Sequence, residues 1–364
     1  MPSFVLQDGI PAGFVDIARV NLTTVGRKAQ DPNQRTTYVQ QFNFGIQREL
    51  MSGLVFDIAY VGNRALKLAA FRNLNPNVYS FGSNGVPAVG LRTLDSANLR
   101  GDIQFMENRV ASSYNSLQLR LEKRFSSGLS ALASYTWGKT LSDGADHLST
   151  SAVGPGIDIG VYSVPQDPRN LRAERGPTEF DITHRLAISY IYELPWGRGR
   201  RWGQSWDRSV NLILGNWQVS GVHVVQGGVP LTPILGGSTV LNLGSDRVGR
   251  PNLVGRPELP GPQRTVERWF NTDAFTTLSP APQAFGNAGV GIMREPGLAD
   301  FDFSIAKNVN VDESHYFQFR TEMFNAFNHP NFGPPDIRRE ATTFGRILTA
   351  GNGRIIQFAL KLYF

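Results

Sequence analysis

The end of the chain constrains its fold most. The last segment reads Arg354-Ile355-Ile356-Gln357-Phe358-Ala359-Leu360-Lys361-Leu362-Tyr363-Phe364. Taken in steps of two, one face carries Ile356, Phe358, Leu360, Leu362 and Phe364, and the other carries Ile355, Gln357, Ala359, Lys361 and Tyr363. Side chains alternate across a strand, so this is a strand that is apolar on one side and largely polar on the other. It stops on an aromatic ring, whereas chain ends usually fray into water. A closed membrane barrel finishes this way, because its last strand must pair and face lipid. The competing reading is an ordinary amphipathic edge strand.

Composition removes several alternatives. No run approaches the ~20 apolar residues of a membrane helix, and hydrophobic residues make up 41% of the 364. That excludes helical spans and leaves a barrel open, since only every second strand residue meets lipid. With 38 glycines and 22 prolines, the chain suits strands joined by irregular connections. It has no cysteine, which excludes disulfides, thiolate metal sites and cysteine nucleophiles. The net charge of +6 comes from scattered residues with no dense basic run, so it reads as loop and lumen charge, and no nucleic-acid partner is expected.

Nine strands are expected, at 37–49, 54–62, 115–125, 129–137, 184–194, 216–226, 298–308, 316–327 and the terminal segment. The cleanest sets Leu117, Leu119 and Leu121 against Ser116, Gln118, Arg120, Glu122 and Arg124. Each has about the ~9–11 residues of a tilted membrane strand. Short turns such as Ser126-Ser127-Gly128 alternate with long connections at about 63–112, 138–183, 227–297 and 328–352, as in outer-membrane barrels. A soluble sandwich or propeller would not confine long loops to every second connection. If the terminal strand ends in the periplasm, counting back starts the first strand on the external side. Nine is odd, while complete bacterial barrels have even counts. The N-terminal residues lack the basic and apolar regions of a signal peptide. The expectation is therefore an all-β, antiparallel transmembrane barrel portion: 1–34 as the remnant of an external loop, and 35–364 as the C-terminal barrel region of a longer protein.

Several phrases resemble a known family. They include YVQQFNFGIQREL (38–50), FDIAYVGNRALKL (56–68), YNSLQLRLEKRFSSGLSALASYTWGKTLSD (114–143), DITHRLAISYIYELPWGRGRRW (181–202), LGNWQVSGVHVVQGGVPLTP (214–233), WFNTDAF (269–275) and the run from Phe285 to Asp336. Together they resemble the C-terminal barrel of Oar-like TonB-dependent outer-membrane transporters of acidobacterial type. The resemblance implies a barrel of about 22 strands in the Gram-negative outer membrane. An N-terminal plug, pulled by the TonB complex, admits a bulky ligand. It implies as partners membrane lipid, the plug, TonB and the barrel-insertion machinery. Phe364, Leu362, Leu360, Phe358 and Ile356 also look like the assembly signal that such barrels present. The segments that would carry the plug and TonB contact have no counterpart here. An alternative is a self-standing small barrel acting as passive pore or adhesin.

Arg120, Glu122 and Arg124, with Gln318, Arg320 and Glu322, are expected to face the lumen, because an Arg facing mid-membrane hydrocarbon costs ~2–4 kcal/mol. They are either plug-facing residues or solvated lumen charge. Tyr60, Tyr135 and Trp137 at one end, and Trp196, Trp202, Trp217 and Phe125 at the other, are candidates for aromatic belts. Catalytic residues, cofactors and metals are not expected. Asp143, Asp146 and His147 read as a solvated acidic cluster. Asp181 and His184 lack a serine in a nucleophile elbow. Gly286–Gly291 lacks phosphate-loop spacing and reads as a flexible loop. Cut from a larger barrel, nine strands would leave two unpaired edges and an unstable fragment.

Overall fold

A computed structural model describes residues 26–75, 77–81, 87–92, 94, 101, 103–144, 165–167, 170–235, 249–277, 285–311 and 315–364. Nine strands run as an antiparallel meander in chain order. They are β1 (Tyr38–Met51), β2 (Leu54–Asn73), β3 (Ile103–Ser126), β4 (Leu129–Ser142), β5 (His184–Glu193), β6 (Trp217–Gln226), β7 (Leu298–Asn310), β8 (Tyr316–Phe324) and β9 (Ile355–Tyr363). Two short strands lie off this path. Arg27–Gln30 pairs in parallel with the start of β3, and Gly176–Pro177 pairs with the end of β4. Among the described residues β1 pairs with β2 and β9 with β8, so the sheet is open.

The turn between β3 and β4 shows why the meander forms locally. Ser127 and Gly128 have φ of 52° and 82°, the pair of positive angles that a two-residue hairpin turn needs to match strand twist. The resulting register carries apolar side chains round one face. Ile46, Ile58, Leu119, Tyr135 and Leu186 lie in successive register across five strands. Phe44, Phe358 and Leu360, each 69% exposed, continue that face at the two edges of the sheet. Exposure of large apolar side chains over a whole sheet face is the opposite of a water-soluble design.

This outer band gives way to polar residues towards its upper end. Tyr60, Leu117 and Trp137 lie in register. One step further are Phe42, Gly62, Asn115 and Lys139, and the next carries Gln40, Arg64, Ser113 and Leu141. Outward residues from Leu54 to Tyr60 span ~20 Å of strand at ~3.3 Å per residue, comparable to the ~25 Å apolar band of outer-membrane barrels.

Several expected boundaries are corrected. The expected loop at 63–112 is in part strand. β2 runs on to Asn73 and β3 begins at Ile103, giving strands of 20 and 24 residues rather than 9–11. Above the band the outer face loses its continuous apolar stripe. A register shift between Ala65 and Leu68, with Lys67 at φ 58°, also breaks the alternation. The eighth strand ends at Phe324, because Asn325 turns the chain at φ 47°. Phe327 then folds back edge-on against Phe301 and Phe303. The connection 195–215 contains a helix, α1 (Arg208–Leu214), capped by the Asp207 carboxylate accepting from the Val210 N–H at 2.8 Å.

The long connections on the end opposite Phe364 fold together into a cap. Leu231, Ile234, Phe270, Phe275, Met293, Ile337 and Phe344 form its core, drawn from the β6–β7 and β8–β9 connections. Phe270, Phe275 and Phe344 meet edge to face at 5.0–5.9 Å, a favoured geometry for ring quadrupoles. The run Gly286–Gly291, expected to be flexible, is packed into this cap. A Cβ on Gly286 would stand 1.9 Å from the Arg250 carbonyl oxygen, and Ala288 is fully buried.

Candidate lumen site and external cap

The inner face of the sheet is concave. A groove of about 500 Å³ runs across it from Arg120 and Glu122 on β3 to Asp302 and Ser304 on β7 and Glu322 on β8. Its floor is mixed, with Ser130, Ser189, Ser220 and Ser304 set among four apolar side chains. Leu132, Ile191, Val222 and Phe324 line it, and the last three are 46%, 53% and 40% exposed.

Two polar networks stand at its sides. On β2 and β3, Arg120 donates to Asp57 at 3.3 Å and to Glu122 at 2.6 Å. On β8, Arg320 donates to Gln318 at 2.6 Å and to Glu322 at 3.3 Å. Gln357 on β9 donates to Glu322, and Gln318 donates to Asn308 at 3.0 Å. Partly exposed pairs of this kind add little stability. Their inward placement keeps charge out of hydrocarbon.

The groove therefore brings together Arg120, Glu122 and Glu322 of the sequence-based candidates. Gln318 and Arg320 share the inner face without lining the groove. Arg124 is set apart. It stands exposed beyond a register shift, at the hairpin end, with its N–H donating to the Gly53 carbonyl at 2.7 Å. Asp302 and Ser304 are not among those candidates. Their inward alternation against Phe301, Phe303 and Ile305 is the signal that could have found them.

The aromatic candidates fall at the two ends of the band. The Tyr60 hydroxyl donates to Asn115 Oδ1 at 2.6 Å, Tyr135 bonds His184 Nδ1 at 2.8 Å, and Trp137 stacks on the His184 ring. At the opposite end lie Phe125, Trp196, Trp202 and Trp217, with Trp196 bridged to Trp202. Ile356, Phe358, Leu360 and Leu362 lie on the outer face in register with Met323, Thr321, Phe319 and Phe317, and Phe364 follows at 94% exposure.

The remaining chemical candidates are occupied structurally. The Asp181 carboxylate is 1% exposed, accepting from the Thr140 N–H at 2.5 Å and from Arg294 at 2.5 Å. The Asp143 carboxylate accepts from the Ala111 N–H at 2.6 Å, while Asp146 and His147 lie outside the described residues. In the cap, Arg250 and Glu174 form an ion pair at 2.7 Å with side chains 6% and 7% exposed. Burial pushes the Glu295 carboxyl up, against a backbone hydrogen bond at Val229.

A family model described as an outer membrane beta barrel domain matches residues 2–357. The chain belongs to that family. The barrel domain is accordingly a component of the Gram-negative outer membrane. Comparison with curated proteins gave no match. Among solved structures, the domain is similar to the outer membrane transporter YddB from Escherichia coli, with 9% identity, a TM-score of 0.43, and coverage of 93% of this chain and 34% of that one. It is also similar to the FrpB iron transporter from Neisseria meningitidis, with 10% identity, a TM-score of 0.41, and coverage of 93% and 32%. For the pyoverdine outer membrane receptor FpvA from Pseudomonas aeruginosa PAO1 the values are 9%, 0.39, 90% and 30%. The barrel domain spans about a third of the length of these proteins.

Proposed function

We propose that this barrel domain is the C-terminal region of an Oar-like TonB-dependent transporter, and that its groove packs against a plug supplied by the rest of the polypeptide. In this reading the barrel has about 22 strands, with residues 1–34 leading in from an external loop and 35–364 forming its C-terminal wall. A bulky ligand meets the long connections and enters when the TonB complex pulls the plug. The terminal apolar face addresses the insertion machinery, and no catalytic step is assigned.

The observation that carries this reading is the set of exposed apolar side chains on the floor of the groove. Water-filled barrels have polar interiors. Ile191, Val222 and Phe324, exposed between two polar networks, favour a packed protein surface over a column of water. The family resemblance supports the same arrangement.

Hydroxyl-radical footprinting tests it in outer membranes containing the complete protein. Ile191, Val222 and Phe324 should be protected there, and oxidised at least threefold faster once the segment preceding the barrel is deleted. Equal oxidation in both forms, with steady ionic conductance of the complete protein in planar bilayers, would replace the plug reading with a passive pore.

A further inference from the structure

Two connections on the Phe364 end are tight turns, and the one between β5 and β6 is far longer. Ser52-Gly53 and Ser127-Gly128 each need two residues, while residues 194–216 join β5 to β6 through α1. Such an excursion has no role in making the turn.

Its position is specific. In the outward-facing register, Trp217 of β6 is paired with Lys307 of β7, which is followed by Phe319 of β8 and Leu360 of β9. Lys307 thus lies on the lipid-facing side, yet it is 7% exposed. The segment leaving α1 covers it. The Lys307 ammonium donates to the Gly215 carbonyl and lies 5.8 Å from the Trp217 ring centroid. The Trp217 indole N–H donates to the Ile213 carbonyl at 2.9 Å. These bonds place the last turn of α1 against the outside of the barrel wall, at its periplasmic rim.

What α1 presents there is apolar. Leu212, Ile213 and Leu214 are 51%, 66% and 49% exposed, and Trp196 and Trp202 stand beside them in the same connection, also exposed. Val210, Ile213 and Leu214 follow the i, i+3, i+4 spacing of one helical face. The same connection carries Arg198, Arg200, Arg201 and Arg208 against one acidic residue, Asp207. Arg200 pairs with Glu193 at 2.8 Å. Arg201 lies over the Trp202 ring at 5.5 Å, and neither it nor Arg208 has an ion pair among the described residues.

We propose that this connection is an in-plane foot embedded in the periplasmic leaflet. Leu212, Ile213, Leu214 and the two tryptophans enter the acyl boundary, and Arg201 and Arg208 hold the phosphate of an anionic phospholipid. An apolar stripe with tryptophan and arginine at its margin is the pattern of an interfacial helix. Guanidinium matches phosphate oxygens in a two-pronged geometry. The surface is continuous with the lipid-facing band, and its positive charge complements that headgroup. The proposal rests on the outer-membrane placement alone and is independent of transport.

The test uses the complete protein, with a photo-reactive phenylalanine analogue at position 213 or at 204, in vesicles of phosphatidylethanolamine and phosphatidylglycerol. Position 213 should yield phospholipid adducts and position 204 at least tenfold fewer. Adducts from 213 to protein, or none, would overturn the foot, since the patch would then meet a partner or water. Among the lipid adducts, Arg201→Gln/Arg208→Gln should lower the phosphatidylglycerol share at least threefold, and Arg201→Lys/Arg208→Lys should largely restore it. An unchanged share in the glutamine variant overturns the phosphate assignment.

Discussion

Arg250 is held by four groups at once. Its guanidinium donates to Glu174 at 2.7 Å, to the Ala288 carbonyl at 2.8 Å and to the Ala173 carbonyl at 3.2 Å, and its N–H donates to Gln166 Oε1 at 3.0 Å. Removing one partner of a buried pair strands the other charge, at ~3–5 kcal/mol. Arg250→Met should therefore loosen the cap by about that amount, read as faster protease cleavage within 285–297. Arg250→Met/Glu174→Gln should recover much of the loss. Asp336 gives a pH dependence. Burial acts to raise its carboxyl, but hydrogen bonds from the Arg338 guanidinium and N–H and from Thr343 outweigh this and hold it below its ordinary 3.8. A depressed acid contributes stability above its unfolded value and loses it as pH falls through the folded one. The segment 336–346 should stay protected from proteolysis above about pH 4 and open below it, and Asp336→Asn should remove that transition. The inward side of Arg120 and Glu122 is legible from alternation alone. The Arg250–Glu174 pair is not, because two loop residues far apart in sequence share no period.

Strands obey a period, and that decides what can be read at the level of the element. β9 is legible residue by residue, and its two faces can be separated by experiment. Phe358→Arg places a charge on the lipid face and should cost ~2–4 kcal/mol if it lies near mid-membrane. Gln357→Arg, one residue away beside Glu322 on the inner face, should stay within about 1 kcal/mol. Urea unfolding of the complete protein in lipid vesicles measures both, and equal losses would refute the assignment of faces. The extensions of β2 and β3 are hidden in the sequence because the bulge at Lys67 shifts the phase just where the outer face turns polar. The helix α1 is hidden because seven residues are too few for a periodic signal, although Asp207 is a recognisable N-cap.

For the whole molecule, the order of the nine strands follows from alternating short and long connections, without any knowledge of tertiary contacts. The cap does not follow, because its core comes from scattered apolar residues in glycine- and proline-rich segments. The open sheet leaves β1 exposed along its whole length and most of β9 exposed too. Membrane strands need partners on both sides, so in the proposed larger barrel these two edges would pair with the rest of the wall. The cap also bears on how the outer mouth can work. Asp181 with Arg294, and Glu174 with Arg250, tie the β4–β5 connection to the β6–β7 connection, and the Phe270, Phe275 and Phe344 rings tie that one to the β8–β9 connection. The three connections are therefore mechanically coupled. Among the described residues, a force that lifts one of these connections pulls on the other two through those contacts.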